Sequence, residues 1–460
     1  MKKYRYLLII CIFFTVAHAY SQKQYEPFIH GDKISYIGSS IAMNGACFHY
    51  THLFYATRYP ERNIQLINGG ISGEGTIPIL NRLEEDVLAN RPTWCIVMGG
   101  GNDLNTGLYA PERQNEPGIE EQKENRYQHL IKNTDIIVEQ LLAKGMKVIL
   151  QTPSIVDEVV KSPVSNYPGF NDKLRRFSEH LKALGEKHAL PVVDCWTVLK
   201  DINNKIQKND SAKTIIGRDR VHVGNLGHFI MSVELLSIQK VDKKVSHIII
   251  DAKRNKTTFN EYCTVDGLKA NSSSISFTTL AKALPFPTPD KINPDSFFHF
   301  TDEWNADILQ VKGLKKGDYI LEIDGNIIHT FSKDELNNGI NLSKYHNTPQ
   351  YKQAERVLDR FQEYWKNERT LRSVKYVEYQ HRNDLKGIKD VEQLKRDLPS
   401  IMEKYKSSDN YNFFTNMFNA YIANKPLEPA LYEKGENMLL DISKLNKPVA
   451  HRYSLRKAGN

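Results

Sequence analysis

Short apolar runs and segments of helical period alternate strictly from Tyr25 to about Val245, and this alternation limits the possible folds more than any other feature of the chain. The strand-like runs are residues 33–37, 64–68, 94–98, 147–152 and 190–195. The segments with helical spacing of apolar residues include 79–89, 127–144, 171–188 and 227–239. Because alternating strands and helices build a parallel sheet covered on both faces, the sequence predicts an α/β domain.

Residues suited to catalysis follow the first three predicted strands. Ser40 comes after the first strand, Gly73 lies in a glycine-rich turn after the second, and Asn102 follows the third. In a parallel sheet, the loops at the carboxyl ends of the strands converge on one edge, where such folds bind their ligands. We therefore expect a hydroxyl, a backbone amide and a carboxamide to meet at this edge.

An acid and a base that could activate Ser40 occur together much later in the chain. A serine hydroxyl needs a base to take its proton, and the base needs a third group that fixes its orientation. Asp219 and His222 are three residues apart, so they can bond to one another and present the imidazole to Ser40. A Gly-Asn-x-Gly-His sequence follows at residues 224–228.

Four stretches of the chain together resemble the conserved blocks of the SGNH (GDSL-like) hydrolases. They are residues 34–41, 67–75, 98–103 and 219–228, and the resemblance covers about residues 32–240. It implies a three-layer, flavodoxin-like fold. It also implies that Ser40 is the nucleophile, that His222 is the general base and then the acid, and that Asp219 orients the ring.

The resemblance further implies an oxyanion hole. Its donors would be the N–H of Ser40, the N–H of Gly73 and the side chain of Asn102, which suits a site where negative charge develops on a carbonyl oxygen. Each of these positions has a plainer interpretation. Gly73 could only permit a turn, Asn102 could cap the next helix, and His228 is expected to have a structural rather than a reactive role.

The first block departs from the family pattern at one position. The family reads Gly-Asp-Ser where this chain has Gly38-Ser39-Ser40. Ser39 is an alternative nucleophile, but the register of Gly38 and Ile41 places Ser40 at the family's serine. Cys47 is near in sequence and has no evident basic neighbour to activate it.

Residues 1–21 have the features of a secretory signal peptide. A basic start is followed by an apolar run at residues 7–16 and by Ala17-His18-Ala19, a small-x-small cleavage site. The apolar run is too short to cross a bilayer comfortably, although an uncleaved anchor is the alternative. We therefore expect an exported protein, periplasmic or extracellular, with no stable membrane span after cleavage.

Composition excludes some classes of partner. The formal net charge is +8, and no dense basic stripe accompanies it, so nucleic-acid binding is not predicted. Cys47, Cys95, Cys195 and Cys263 are widely spaced and specify no disulfide framework, so we expect buried thiols. No Cys-x-x-Cys pattern occurs, and neither a metal site nor a cofactor is predicted.

The chain is predicted to contain a hydrolase domain at residues 22–245, a small β-rich accessory unit at 246–342 and a helical C-terminal region at 343–460. The apolar and aromatic stripes of the last region are predicted to be packing surfaces. The polar segment 104–123 is predicted to be a rim or lid over the cleft or, as an alternative, a solvated connection.

These observations predict an exported serine esterase that hydrolyses acyl esters, with acetyl on carbohydrate as the expected case. The substrate would be an acylated small molecule or polysaccharide, and the choice of sugar follows only from family analogy and location. One alternative is a lipase, lysophospholipase or thioesterase with the same site. Another is a glycan-binding protein whose catalytic site has decayed, which Ser39 in place of the usual acid keeps open.

Overall fold

The structure is a computed structural model and describes residues 25–289, 292–296 and 298–459. The predicted signal peptide at residues 1–21 lies outside these ranges. The described chain forms one parallel α/β sheet, then two further sheets, and a group of helices. None of the helices in these ranges combines the length and the apolar character that a bilayer crossing requires.

The first sheet is parallel throughout. Its strands are β1 (Lys33–Gly38), β2 (Gln65–Gly70), β3 (Trp94–Met98), β4 (Lys147–Gln151) and β5 (Val192–Val193), in the order β2-β1-β3-β4-β5. Alternate residues enter two separate cores. In β3, Ile96 packs into the core on one face, whereas Cys95 and Val97 pack into the core on the other.

Helices cover both faces of this sheet. They are α1 (Ser40–Asn44), α2 (Ala46–Arg58), α3 (Thr76–Arg82), α4 (Gly101–Leu104), α5 (Ile119–Ala143), α6 (Phe170–His188), α7 (Cys195–Asn209) and α8 (Asn225–Ser237). Helices α2, α7 and α8 contribute to one core, and α3, α5 and α6 contribute to the other. This three-layer arrangement confirms the predicted fold class.

Two local predictions in this part were wrong. The strand predicted at residues 190–195 is only Val192–Val193, because the side chain of Asp194 accepts a hydrogen bond from the Thr197 N–H and caps α7, which was not predicted. The predicted loop 104–123 ends earlier than expected, since α5 begins at Ile119.

The next part of the chain is rich in strands, as predicted. It contains β6 (Lys244–Asp251), β7 (Lys256–Glu261), β8 (Cys263–Asn271), β9 (Ser274–Ala281), α9 (Phe300–Glu303), β10 (Ala306–Lys312), β11 (Asp318–Ile323), β12 (Asn326–Ser332), α10 (Lys333–Asn338) and β13 (Ile340–Asn341). One sheet has the order β13-β10-β6-β7. Strands β7 and β8 were not predicted, because most of their side chains are exposed and give little apolar alternation.

The prediction that residues 343–460 are helical was wrong at the end of the range. The elements are α11 (Pro349–Gln380), α12 (Val391–Glu403), α13 (Tyr411–Asn424), α14 (Glu428–Leu445) and a strand, β14 (His451–Lys457). Strand β14 joins the accessory unit in a second sheet of order β12-β11-β14-β9-β8. Tyr453 and Leu455 alternate into its core, a pattern too short to identify a strand in isolation.

Helix α11 packs against the hydrolase domain. Phe361 and Trp365, from the aromatic stripe predicted to be a packing surface, lie in the same core as Phe48 of α2. The Trp365 ring also stacks on His49, with 5.0 Å between centroids. The helical region is therefore in direct contact with the domain that carries the predicted site.

Candidate active site

The first strand delivers Ser40 to the carboxyl edge of the sheet. Strand β1 ends at Gly38 and α1 begins at Ser40, so the chain turns sharply between them. No larger residue fits at Gly38, because a Cβ there would lie 2.5 Å from the carbonyl oxygen of Met98. The N–H of Ser40 belongs to the first turn of α1, where helix amides have no partner within the helix. Ser40 thus offers both its hydroxyl and its N–H.

Asp219 and His222 lie beside Ser40, on a segment that we call the His222 loop (residues 219–222). The distance from His222 Nε2 to Ser40 Oγ is 2.7 Å, and His222 Nδ1 is 2.6 Å from Asp219 Oδ2. When Nδ1 carries the proton and donates it to Asp219, Nε2 accepts the hydrogen bond of the Ser40 hydroxyl. The structure therefore joins three predicted residues in one hydrogen-bonded chain across 182 positions of sequence.

The carboxylate of Asp219 is fixed by its own loop. Its Oδ1 accepts hydrogen bonds of 3.0 Å from the N–H groups of Val221 and His222. Burial acts to raise the pKa of Asp219, but these bonds and the bond from the His222 ring outweigh it and hold the pKa below its ordinary value. Asp219 is therefore ionised at neutral pH and can orient and stabilise an imidazolium.

Arg220 anchors the His222 loop, and sequence reasoning missed it. Its side chain is buried and donates hydrogen bonds to the carbonyl oxygens of Val164 and Asp157, at 2.9 Å each. Its own carbonyl accepts the Asp157 N–H, and its φ of 67° is unusual for a residue with a side chain. A single buried arginine in a polar loop has no periodic signal by which the sequence could reveal it.

Gly73 and Asn102 also lie near Ser40 and line the same cavity. Gly73 belongs to a segment that we call the Gly73 loop (residues 70–75), and it has a φ of 82°, which favours glycine. Asn102 lies inside α4, whose N-cap is Gly100, so the helix-cap interpretation does not hold. The Asn102 carboxamide donates a hydrogen bond of 2.9 Å to the carbonyl oxygen of Glu74, which ties α4 to the Gly73 loop.

Ser40, Gly73 and Asn102 line one cavity of about 230 Å³. Apolar side chains form part of its wall, contributed by Met98, Val156, Phe170, Leu174 and Val221. Asn105 and Thr106, from the segment predicted to be a rim, also line it. Binding sites for drug-sized ligands are commonly about 300–1,000 Å³, so this cavity is suited to a small group.

Other residues considered from the sequence are placed where they do not react. His228 is buried, and burial lowers its pKa to about 3, so its ring is neutral. Burial raises the pKa of Cys47 to about 12, which keeps it a thiol. Ser39 lines the cavity, but the short contact of His222 is with Ser40. All four cysteines in the described chain are buried thiols.

This arrangement defines a class of protein. A parallel α/β sheet that presents a serine, a histidine and an aspartate in one hydrogen-bonded chain, with amide donors beside the serine, has the parts of a serine hydrolase site. Among the described residues, no group of three or more His, Cys, Asp and Glu side chains could hold a metal ion.

Comparison with known families gives the same class. Residues 36–229 match the model of the GDSL-like Lipase/Acylhydrolase family. The α/β domain therefore resembles this family over residues 36–229, and the chain is an ester hydrolase.

Particular relatives extend the comparison. An acetylxylan esterase of Geobacillus stearothermophilus is 25% identical over 174 residues, which cover 38% of this chain and 71% of that protein. A crystal structure of an acetylxylan esterase, Axe2, from the same organism is 23% identical and covers 46% of this chain and 94% of its own, with a TM-score of 0.36. The structure of a gut microbial diltiazem-metabolizing enzyme is 27% identical, with a TM-score of 0.85, and covers 95% of this chain and 100% of its own. The accessory strands and the helical region are therefore shared with that enzyme.

Proposed function

We propose that this protein is an exported serine esterase that removes short acyl groups, acetyl above all, from carbohydrate. The observation that carries the proposal is the chain of contacts from Asp219 through His222 to Ser40, at 2.6 and 2.7 Å, together with the small cavity that Ser40 lines. The small volume favours a short acyl group. The acetylxylan esterase relative supports a carbohydrate ester as substrate.

The proposed reaction has two stages. Ser40 Oγ attacks the ester carbonyl carbon while His222 takes its proton, and the oxyanion accepts hydrogen bonds from Ser40 N–H, Gly73 N–H and the Asn102 carboxamide. The C–O bond to the sugar breaks, and His222 returns the proton to the leaving alcohol. His222 then deprotonates water, which attacks the acyl carbon. The bond between that carbon and Ser40 Oγ breaks, His222 returns the proton to Oγ, and the carboxylic acid is released.

The first test is acetate release from acetylated xylan and other acetylated polysaccharides. Ser40→Ala should lower kcat by at least about 10³-fold, because the remaining groups cannot form the acyl-enzyme. A fluorophosphonate probe should label the parent protein and Ser39→Ala but not Ser40→Ala. Labelling that survives in Ser40→Ala would refute the assignment of the nucleophile, and binding of glycans without any labelling would favour the decayed-site alternative.

A chain-length series of 4-nitrophenyl esters separates the acetylesterase from a lipase-type enzyme. The cavity of about 230 Å³ favours acetate, and we expect kcat/KM to fall beyond butyrate. A rise toward octanoate would instead indicate a lipid-type acyl site.

A second candidate substrate is a small drug-like molecule. The full-length similarity to a diltiazem-metabolizing enzyme favours it, since that similarity extends over 95% of this chain. Incubation with diltiazem followed by mass spectrometry tests it, with Ser40→Ala as the control. Faster turnover of diltiazem than of acetylated xylan would favour small drug-like molecules over carbohydrate esters as the substrate class.

Export is a separate part of the proposal. It depends on the basic start, the apolar run and the Ala17-His18-Ala19 sequence. N-terminal sequencing of protein recovered from the periplasm or the medium should find a mature chain that starts near residue 20. A chain that retains its apolar run would indicate an anchor.

A further inference from the structure

A residue of the C-terminal helical region binds the backbone of the Gly73 loop. Arg372, in α11, is buried, and its Nε donates a hydrogen bond of 2.6 Å to the carbonyl oxygen of Gly70. Its two terminal nitrogens bind the two carboxylate oxygens of Asp86, at 2.9 and 2.7 Å. One guanidinium thus holds the end of β2 and a buried acid together, although 302 positions separate Arg372 from Gly70.

The contacts of Arg372 continue toward the site. Asp86 also accepts a hydrogen bond of 2.5 Å from Arg82, and Arg82 donates another, of 2.7 Å, to Glu74. All of these side chains are buried. Glu74 directly follows Gly73, and its carbonyl oxygen is the one that accepts the Asn102 carboxamide. The network therefore ends at the backbone between two proposed oxyanion donors.

The Gly73 loop also packs against α1, the helix that begins at Ser40. A Cβ at Gly70 would lie 2.2 Å from the backbone nitrogen of Met43, so the end of β2 and α1 are in backbone contact. The N–H of Ser72 lies 3.3 Å from the Met43 sulfur. Because Arg372 fixes the position of Gly70, it also fixes the surface against which α1 packs.

Apolar contacts of the helical region reach the loop as well. Ile71 is fully buried in a core formed with Val374 and Val377 of α11 and with residues of the other C-terminal helices. At the end of α11, Gln380 lies over Gly73, and its Nε2 would be 3.5 Å from a Cβ built on that glycine. The Gly73 loop thus contacts α11 at Gly70, Ile71 and Gly73.

We propose that α11 helps to form the active site. Its Arg372 is a positioning residue, which holds the Gly73 N–H and the Asn102 carboxamide at the spacing that an oxyanion requires. The inference rests on the proposed function, because it assigns a role toward the proposed oxyanion donors. Arginine is required at position 372, because only a guanidinium group donates hydrogen bonds to a carbonyl oxygen and to both oxygens of a carboxylate at the same time.

Arg372→Lys tests the proposal with 4-nitrophenyl acetate. Lysine keeps the charge but cannot make the forked contacts, so we expect kcat to fall about tenfold or more with KM within about twofold, the signature of lost transition-state stabilisation. The matched control is Arg360→Lys, an arginine of the same helix that pairs with Asp441 and Glu363 away from the site. A folded Arg372→Lys protein with unchanged kcat, or one in which only KM rises, overturns the proposal.

A second variant covers the case in which Arg372→Lys does not fold. The Gln380 side chain is exposed, so Gln380→Ala should fold normally, and we expect a fall of about two- to fivefold in kcat with KM unchanged. Unchanged kcat in this variant then overturns the proposal. Failure of the proposed function is distinguishable, because the parent protein would be inactive or Ser40→Ala would remain active, whatever happens at residue 372.

Discussion

The two loops that flank Ser40 are supported in different ways. The His222 loop is half-exposed, with 49% and 50% of the His222 and Asp219 side chains accessible, and its anchor, Arg220, bonds to carbonyl groups of the same domain. The Gly73 loop is bound through buried ion pairs to Arg372 of the helical region. The proposed acid–base residues thus lie on a loop that is fixed by its own domain, whereas the loop of the proposed oxyanion donors is bound by a distant part of the chain.

Because of this difference, substitutions in the two loops should differ in how they affect activity and stability. A half-exposed catalytic side chain contributes little to packing, so its loss should affect the reaction and leave the fold. Removal of one partner from a buried ion-pair network leaves the others uncompensated, so changes behind the Gly73 loop should affect both. The predictions below test this contrast.

The largest expected effect is that of His222→Ala. The variant removes the proposed base, and kcat should fall about 10³- to 10⁴-fold, whereas Tm should change by no more than about 2 °C because the side chain is half-exposed. Steady-state kinetics and a thermal melt check both parts. Exposed His129, replaced by Ala, is the control. A large drop in Tm for His222→Ala would show that the His222 loop, too, is part of the structural core.

Gly73→Ala should have the next largest effect. Alanine at a φ of 82° is strained and would displace the N–H, so kcat should fall about 10²-fold, the usual cost of losing one oxyanion donor. Gly118→Ala is a matched control, since Gly118 has a φ of 77° and nothing within 4 Å of its Cβ position. Both variants should lose about 1 kcal/mol of stability from backbone strain. Equal kcat in the two variants would show that the Gly73 N–H is not a donor of the proposed oxyanion hole.

Arg220→Met should have an intermediate effect on rate and a clear effect on stability. It deletes two charge-assisted hydrogen bonds to backbone carbonyls, so we expect about a tenfold loss in kcat and a loss of roughly 2 to 3 kcal/mol in the free energy of unfolding. Denaturant titration and kinetics measure these quantities, with exposed Arg218→Met as the control. Stability loss without any loss of rate would mean that the His222 loop keeps its geometry without this anchor.

The smallest effect concerns the pH dependence of stability, and it compares a buried acid, Asp86, with a partly buried one, Glu234. Asp86, behind the Gly73 loop, is subject to burial, which acts to raise its pKa, but Arg372 and Arg82 lower the pKa below its ordinary value. Glu234, on α8 beyond the His222 loop, has its pKa raised from 4.5 to about 7 by burial, with a further contribution from Asp194. The folded state therefore holds a proton on Glu234 that the unfolded state releases, and stability falls as pH rises from about 4.5 through about 7.

Glu234→Gln removes this pH dependence. Glutamine stays uncharged, so the variant should exceed the parent by roughly 1 to 3 kcal/mol in free energy of unfolding at about pH 8 and match it near pH 4. Urea denaturation at the two pH values measures the difference, and exposed Glu433→Gln is the control. A gain that is the same at both pH values would contradict the raised pKa.

The sequence predicted that Ser40, Gly73, Asn102 and His222 would lie near one another, because each follows a strand or a turn with a local signal and a parallel sheet brings strand ends to one edge. The structure places the first three around one cavity and His222 in contact with Ser40. The sequence was not sufficient for the supports. Arg372 lies in a helix rich in charged residues, where an arginine is expected to be solvated, and its role depends on contacts made 302 positions away.

The same limit applies to β14. Its pattern of Tyr453 and Leu455 is two apolar residues long, and only its position between β9 and β11 makes it a strand. Short elements that depend on tertiary partners carry almost no information of their own. The 190–195 segment was misjudged for a related reason, since Asp194 ends a strand and starts a helix within the same few apolar residues.

The position of β14 has a consequence for biosynthesis. A nascent chain that has emerged as far as Leu445 has every proposed catalytic side chain and all of α11, yet the accessory unit has a gap in the middle of its second sheet. Strands β9 and β11 both lack their shared neighbour until residues 451–457 have been added. A polypeptide that stops before residue 451 would expose unpaired β-edges in the middle of this sheet to aggregation or proteolysis.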